Sequence, residues 1–177
     1  MANPPSPAFA PATDSASDLL FRDLDQEMML TRRMLASVPD GHTDWRPHEK
    51  STTLGRLATH LAELAGFAHT IASTDDLDFS AAATKQHTLS TTAEILALFD
   101  ERVATMKETI KGMDWDALNA IWTGRIGQQV FIHDRKGALL RMVGISHMIH
   151  HRAQLGVYLR LLNVPVPSIY GPTADSM

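Results

Sequence analysis

Apolar residues recur at three- and four-residue intervals in four long stretches of the chain, the pattern of amphipathic helices. The predicted helices cover residues 18–38, 51–73, 90 or 91 to 112, and 135–162. Each carries one apolar stripe, and in the second helix the stripe consists of Leu54, Leu57, Leu61, Leu64, Ala68 and Ile71. The chain is therefore predicted to be helical over most of its length.

Turn-forming and capping residues mark the ends of these stretches. Pro39-Asp40-Gly41 ends the first helix, as a cluster of proline and glycine does. Thr91 and Glu94, three residues apart, are typical of a capping box at the start of the third. Pro165 ends the fourth, because proline disfavours helical geometry in the residue before it.

The segments outside the helices complete the predicted organisation. Residues 74–89 form a polar connection, and residues 116–133, with glycine and a β-branched cluster, predict a loop with a short hairpin. Four helices with a long connection between the third and the fourth indicate an all-α four-helix bundle. Residues 1–17, rich in Pro, Ala and Ser, are predicted to be a flexible tail, and residues 18–177 a single domain.

Composition excludes several classes of protein and of site. The formal net charge is −4, and without a concentrated basic stripe no nucleic-acid partner is expected. The chain has no cysteine, which excludes disulfides, thiolate metal sites and a cysteine nucleophile. No apolar run reaches the roughly 20 residues that span a bilayer, and the N-terminus does not resemble a secretory signal. The expected location is the cytoplasm, without membrane association.

Three histidines fall within five residues of the fourth predicted helix. His147 and His151 stand four apart, so on a helix their Cβ atoms lie about 5–6 Å from each other. Both interrupt an apolar stripe, and a buried imidazole needs a partner for its nitrogens. A backbone carbonyl or a carboxylate could serve each ring separately, but one metal ion would serve both. We favour the metal, and imidazole suits several divalent transition metals.

A third ligand is expected from another helix, also facing inward. His60 meets this condition, because Leu57 and Leu64 flank it on the apolar stripe of the second helix. His69 is nine residues further, about 180° around the helix, and is expected to face away. A di-iron carboxylate site and a zincin site are not expected, since the chain has neither Glu-x-x-His nor His-Glu-x-x-His.

Four further residues are candidates to surround the ligands. Gln154 and Arg152 could accept or organise the outer N–H of a ligating imidazole, although Arg152 would also suit a surface charge or a carboxylate partner. His150 is rotated off the line of His147 and His151. Glu63 is the one carboxylate expected within reach, and its alternative is an exposed helix residue.

The chain resembles the DinB superfamily of bacterial four-helix-bundle proteins in three segments. These are residues 57–64 around His60, the block His147-Met148-Ile149-His150-His151-Arg152-Ala153-Gln154-Leu155, and the closing residues 164–175. The resemblance implies that His60, His147 and His151 bind a divalent metal and that the protein pairs as a homodimer. It does not imply DNA binding. Characterised members of the family include metal-dependent transferases and isomerases that use thiols such as bacillithiol, mycothiol or glutathione.

Three protein ligands would leave a coordination position open, as in catalytic metal sites. Because the chain lacks cysteine, thiolate chemistry would need a small thiol cosubstrate, and a metal-dependent S-transferase or isomerase is the first hypothesis. A hydrolase that uses a bound hydroxide is the second. A non-catalytic metal-binding protein of the stress response is the third. The expected cofactor is one divalent ion, Zn, Ni, Fe or Mn, and the expected partner is a small-molecule substrate.

Overall fold

The fold is mostly helical, with a small three-stranded sheet. The computed structural model describes residues 15–80 and 88–176. In chain order the helices are α1 (Ala16–Leu20), α2 (Leu24–Leu35), α3 (Leu54–Ser73), α4 (Thr92–Lys111), α5 (Trp115–Asn119), α6 (Lys136–Leu140) and α7 (Met148–Leu161). The strands are β1 (Asp76–Asp78), β2 (Ile121–Ile126) and β3 (Gln129–Arg135). A π-helical segment, Arg141–His147, joins α6 to α7.

The long helices pack on one another around an apolar core. Helix α3 contacts both α4 and α7, and α2 contacts the same two helices. The stripe predicted for the second helix lies in this core, and Leu54, Leu61, Ala68 and Ile71 have no exposed surface. The predicted start of the third helix is confirmed, because Thr91 and Glu94 form the capping box of α4.

The first predicted helix, residues 18–38, is interrupted. Helix α1 ends at Leu20 and α2 begins at Leu24, with Asp23 as its N-cap residue. Arg141, from the other end of the chain, donates to the Leu20 carbonyl at 3.3 Å and to the Asp23 carboxylate at 2.8 Å. These bonds stabilise the break by satisfying the Leu20 carbonyl and the Asp23 carboxylate. The periodicity of apolar residues along the chain does not predict them.

The expectation of an all-α fold is confirmed in part, because the described residues are mostly helical but also form a small three-stranded sheet. Strands β2 and β3 form an antiparallel hairpin that turns at Gly127, where φ is +56° and favours glycine. This agrees with the short hairpin expected there. Strand β1 lies in the segment predicted as a polar connection and pairs in parallel with β2. Trp122 of β2 is fully buried and donates its indole N–H to Thr74 at 3.1 Å, which ties the sheet to the end of α3.

The two ends of the described chain differ from each other in structure. Residues 1–14 of the predicted tail lie outside the described residues, whereas Ser15 caps α1 through a hydrogen bond from the Asp18 backbone N–H. At the other end α7 stops at Leu161, and Asn163 takes the left-handed conformation common after helices.

Within the described part of the chain, none of the helices is both long and apolar enough to cross a membrane.

Candidate metal centre

The three histidines selected from the sequence come together between α3 and the start of α7. His60 lies in the middle of α3, His147 is the last residue of the π-helical segment, and His151 follows in the first turn of α7. One ring nitrogen from each lies within 4.8 Å of those of the other two. The Nε2 atoms of His147 and His151 lie 2.8 Å apart. All three side chains are half-buried.

This donor set suits a divalent transition metal. In a tetrahedral site with metal–nitrogen distances of about 2.0–2.1 Å, two ligand nitrogens lie about 3.3 Å apart. The nitrogens of the cluster lie within 4.8 Å of one another, which is near this spacing. Within the described residues no fourth histidine or carboxylate belongs to the cluster. The three residues can therefore hold an ion and leave a position for a further ligand.

The surroundings keep the three imidazoles neutral, which is the form that binds a metal. Burial is the main cause, because it disfavours the charged ring. It lowers the pKa of His60 from 6.5 to about 4, and the neighbouring His151 and Arg56 add to the effect. Burial also lowers the pKa of His147 and of His151. The rings are thus available as ligands without first losing a proton at neutral pH.

Gln154 lies where the sequence predicted a residue that orients a ligand. Its amide oxygen Oε1 is 2.7 Å from His151 Nδ1 and can only accept, so Nδ1 carries the hydrogen. Nε2 of His151 is then the unprotonated nitrogen and faces His147. The hydrogen bond that His151 donates to Gln154 fixes both the tautomer and the orientation of this ring, as residues around metal-binding histidines commonly do.

Glu63 stands beside His60 but outside the cluster of ring nitrogens. Its Oε2 is 4.0 Å from His60 Nδ1 and accepts a hydrogen bond from Arg56 at 2.6 Å. The side chain is 31% exposed, so it is partly buried on α3. Arg56, Glu63 and His60 share one face of α3. Arg56 was not among the predicted residues, although its spacing of seven residues from Glu63 is the signal that could have identified it.

Two other histidines lie outside the cluster. His150 is exposed and its ring lies edge-on to that of His151, with ring centroids 4.9 Å apart. His69 points away from His60, as predicted, and its Nδ1 lies 2.8 Å from the Thr109 hydroxyl of α4. Neither contributes a nitrogen to the group of three.

Arg152 does not lie among the groups that surround the histidines. Its guanidinium is directed to α2, where it donates to the Glu27 carboxylate at 2.7 Å and to the Thr31 hydroxyl at 3.1 Å. The physical reason is its position: one residue beyond His151, it projects about 100° around the helix. The expectation that it contacts a ligating imidazole is replaced by its alternative, a partner for a carboxylate. That pair is almost fully buried, at 2% exposure for Arg152 and 6% for Glu27.

The π-helical segment was not predicted. It spans Arg141–His147, and its last residue is one of the three histidines. π-Helical turns are rare and are often found at functional sites. The apolar pattern of the segment is as compatible with an α-helix, so the sequence carries no signal that distinguishes the two.

Known proteins are similar to this chain over most of its length. The family model described as DinB family matches residues 12–177. YrdA, an uncharacterized protein of Bacillus subtilis (strain 168), is 29% identical over 159 residues, which are 89% of this chain and 90% of YrdA. Two crystal structures of DinB-like proteins are similar in fold at 18% identity. One, from Bacillus cereus ATCC 10987, has a TM-score of 0.65 and covers 85% of this chain and 95% of its own. The other, YjoA from B. subtilis, has a TM-score of 0.63 and covers 85% and 97%.

Proposed function

The chain belongs to the DinB family, and on this premise we propose that it is a metal-dependent enzyme that uses a small thiol cosubstrate. The observation that carries the proposal is the convergence of His60, His147 and His151 to within 4.8 Å, without a fourth histidine or carboxylate from the described residues. Structural metal sites are usually closed by four protein ligands, whereas catalytic sites keep a position open.

In this proposal the three histidines and Gln154 each have a defined role. His60, His147 and His151 would hold one divalent ion, and Gln154 would keep His151 in the tautomer that presents Nε2. When bound there, such an ion would supply the Lewis acidity that lowers the pKa of a small thiol, so that the thiol could react as a thiolate at neutral pH. The chain has no cysteine, so the thiol must come from a second molecule. The reaction class we propose is S-transfer, in which the thiolate sulfur forms a bond to an electrophilic carbon of the substrate and the leaving group on that carbon departs with the electron pair of the bond that breaks.

The position of Glu63 helps to distinguish an enzyme from a non-catalytic metal-binding protein. A non-catalytic metal-binding protein would be favoured if this carboxylate filled the fourth position. Instead Glu63 is hydrogen bonded to Arg56 and lies beside Nδ1 of His60. A hydrolase would use the same open position for water and would need no thiol. The distinction between the two enzymes is therefore one of cosubstrate.

The first experiment measures metal content by elemental analysis of tag-free protein. We expect about one divalent ion per chain in the wild type and its loss in His147→Ala. The control is His69→Ala, which removes a histidine of α3 that is bonded to Thr109, outside the cluster. Equal metal content in all three proteins, or none after incubation with Zn, Ni, Mn and Fe salts, would overturn the proposal.

A second experiment identifies the cosubstrate. Cobalt is substituted into the site, and glutathione, mycothiol and bacillithiol are added separately. We expect at least one thiol to change the visible spectrum and to add near-ultraviolet absorption from sulfur bound to cobalt. An unchanged spectrum with every thiol, together with hydrolytic activity that follows the deprotonation of water, would contradict the S-transferase and favour the hydrolase.

We further propose that the long helices form a four-helix bundle and that the protein is a homodimer. The contacts of α3 and α2 with both α4 and α7 support the bundle. Val157 and Leu161, one turn apart on α7 and 58% and 56% exposed, support a pairing surface. Light scattering of wild type and Val157→Asp tests the pairing, since a monomeric wild type would contradict it.

A further inference from the structure

A buried guanidinium directly follows one of the clustered histidines. Arg152 is 2% exposed and donates four hydrogen bonds. Its Nη1 bonds the Glu27 backbone carbonyl and the Thr31 hydroxyl, both at 3.1 Å, and its Nη2 bonds the Glu27 carboxylate and the Tyr170 hydroxyl, both at 2.7 Å. A planar guanidinium that donates to four acceptors at once can do so in only one orientation. The flexible ammonium of a lysine cannot reproduce this arrangement.

Tyr170 completes the network from the C-terminal segment. Its hydroxyl lies 2.8 Å from each carboxylate oxygen of Glu27, and its ring lies over the guanidinium of Arg152 at 5.3 Å from the centroid. The C-terminal segment is also held by an ion pair between Arg160 and Asp175, which is separate from this network. Three parts of the chain, α2, α7 and the C-terminal segment, therefore meet at Arg152.

The network lies on a different side of α7 from the histidines. Successive residues of a helix are about 100° apart, so His151 faces α3 while Arg152 faces α2. The other residues on the side of Arg152 that are buried are apolar: Met148, Leu155 and Leu159. Apolar packing alone tolerates small shifts and rotations, whereas a buried hydrogen-bonded charge does not.

The backbone before α7 explains why the hydrogen bonds of Arg152 matter for the orientation of this helix. The preceding turn is π-helical, and His147 at its end has no side-chain capping bond to the start of α7. The π-helical hydrogen bonds run from i to i+5, so the rotation of α7 differs from that of a continuous α-helix. Side-chain contacts of α7 itself must then define how its first turn is oriented towards α3.

We propose that Arg152 is a positioning residue of the metal site. Its buried bonds to Glu27 and its part-buried bond to Tyr170 fix the rotation of α7 and so hold His147 and His151 at the spacing that one ion requires. Arg152 acts through these histidines and touches neither the ion nor a substrate. The inference rests on the proposed metal-binding function.

The test compares metal affinity and cobalt spectrum with stability in three variants. Arg152→Lys keeps the charge and loses the fork, and Tyr170→Phe keeps the ring and removes the shared hydroxyl. The control is Asp175→Asn, which breaks the exposed ion pair with Arg160 in the same C-terminal segment. Zinc dissociation constants are measured by competition with a chelator, well below the unfolding temperature of each protein, with circular dichroism as the check of folding.

We expect Arg152→Lys to weaken zinc binding about tenfold or more, in the range found when groups that orient metal ligands are removed. Tyr170→Phe is expected to weaken it less, and both variants to shift the visible bands of bound cobalt. Asp175→Asn should match the wild type in both measurements. If Arg152→Lys does not fold, the zinc affinity and the cobalt spectrum of Tyr170→Phe test the proposal instead.

The possible failures are distinguishable. A wild type that binds no zinc overturns the metal site itself. A wild type that binds zinc, with folded variants of unchanged affinity and cobalt spectrum but lower thermal stability, overturns only the positioning role. An equal loss of affinity in Asp175→Asn would also overturn it, since any loosening of the C-terminal segment would then suffice.

Discussion

The Nε2 atoms of His147, at the end of the π-helical segment, and of His151, at the start of α7, face each other at 2.8 Å. Two neutral rings can make this contact if one nitrogen donates and the other accepts, whereas two protonated rings would present two donors. Gln154 holds the hydrogen of His151 on Nδ1, so His151 Nε2 is the acceptor. A bound ion would use the same acceptor nitrogen. Both the contact between the two rings and the binding of an ion therefore depend on the rings remaining neutral.

The stability of the metal-free protein is expected to fall as the pH drops from about 6.5 to about 4. The pKa of His60 is about 4 in the folded protein and 6.5 when unperturbed, because burial disfavours the charged ring. Over this window the unfolded chain binds a proton at His60 and the folded chain does not, so acid favours unfolding. Urea midpoints of chelator-treated protein at several pH values measure the effect.

His60→Gln isolates this contribution, because the same pH series then lacks the titrating ring. The variant is expected to lose less stability than the wild type between neutral pH and pH 4. His42→Gln, at an exposed loop position, is the control and should keep the slope of the wild type. A His60→Gln protein with the full pH dependence of the wild type would show that the burial of His60 is not its source.

Gln154→Leu is expected to weaken metal binding about tenfold, because the bond that fixes the tautomer of His151 is lost. Gln154→Glu keeps an acceptor at the same place and strengthens it with a charge, so its affinity should equal or exceed that of the wild type. Zinc competition with a chelator measures both. A loss of affinity in Gln154→Glu as large as that in Gln154→Leu would contradict the role of the hydrogen bond.

The start of the helix that carries His60 is closely packed. A Cβ on Gly55 would lie 2.8 Å from both Thr43 Cβ and Thr88 Cγ2, and these atoms belong to segments that flank the helix. We expect Gly55→Ala to lower the free energy of unfolding by about 1–3 kcal/mol, the usual effect of overpacking. Thermal or urea unfolding of the variant measures the loss.

Gly112→Ala is the matched control for Gly55→Ala. Gly112 follows α4 with a φ of −86°, and its Cβ would have no atom within 4 Å. Its substitution should stabilise the protein by about 0.4–1 kcal/mol, because alanine restricts the unfolded chain more than glycine does. If both variants unfolded alike, close packing at Gly55 would not be the cause of any loss.

The grouping of the histidines could be predicted because it depends on helical periodicity. The spacing of His147 and His151 and the apolar neighbours of His60 placed all three on inward faces, and the structure brings them together. The position of Gln154 followed from the same periodicity. None of these predictions required knowledge of contacts between distant parts of the chain.

The features that were missed depend on such distant contacts. Arg152 turns to Glu27, 125 residues away, and its direction follows from the packing of α7 on α2. The break after Leu20 is stabilised by Arg141, 121 residues away. Strand β1 is three residues long and acquires its structure by pairing with β2, which lies beyond α4. Local pattern cannot supply these interactions.

Metal binding is expected to raise the unfolding temperature of the wild type in proportion to the logarithm of the metal concentration. An ion at about 100 times its dissociation constant stabilises the folded state by about 2.7 kcal/mol, if the unfolded chain does not bind it. For a chain of this size that corresponds to roughly 5–11 °C. Scanning calorimetry of chelator-treated protein with added zinc measures the shift, which His60→Ala should abolish and His69→Ala should keep. A shift of equal size in His60→Ala would place the zinc elsewhere in the protein.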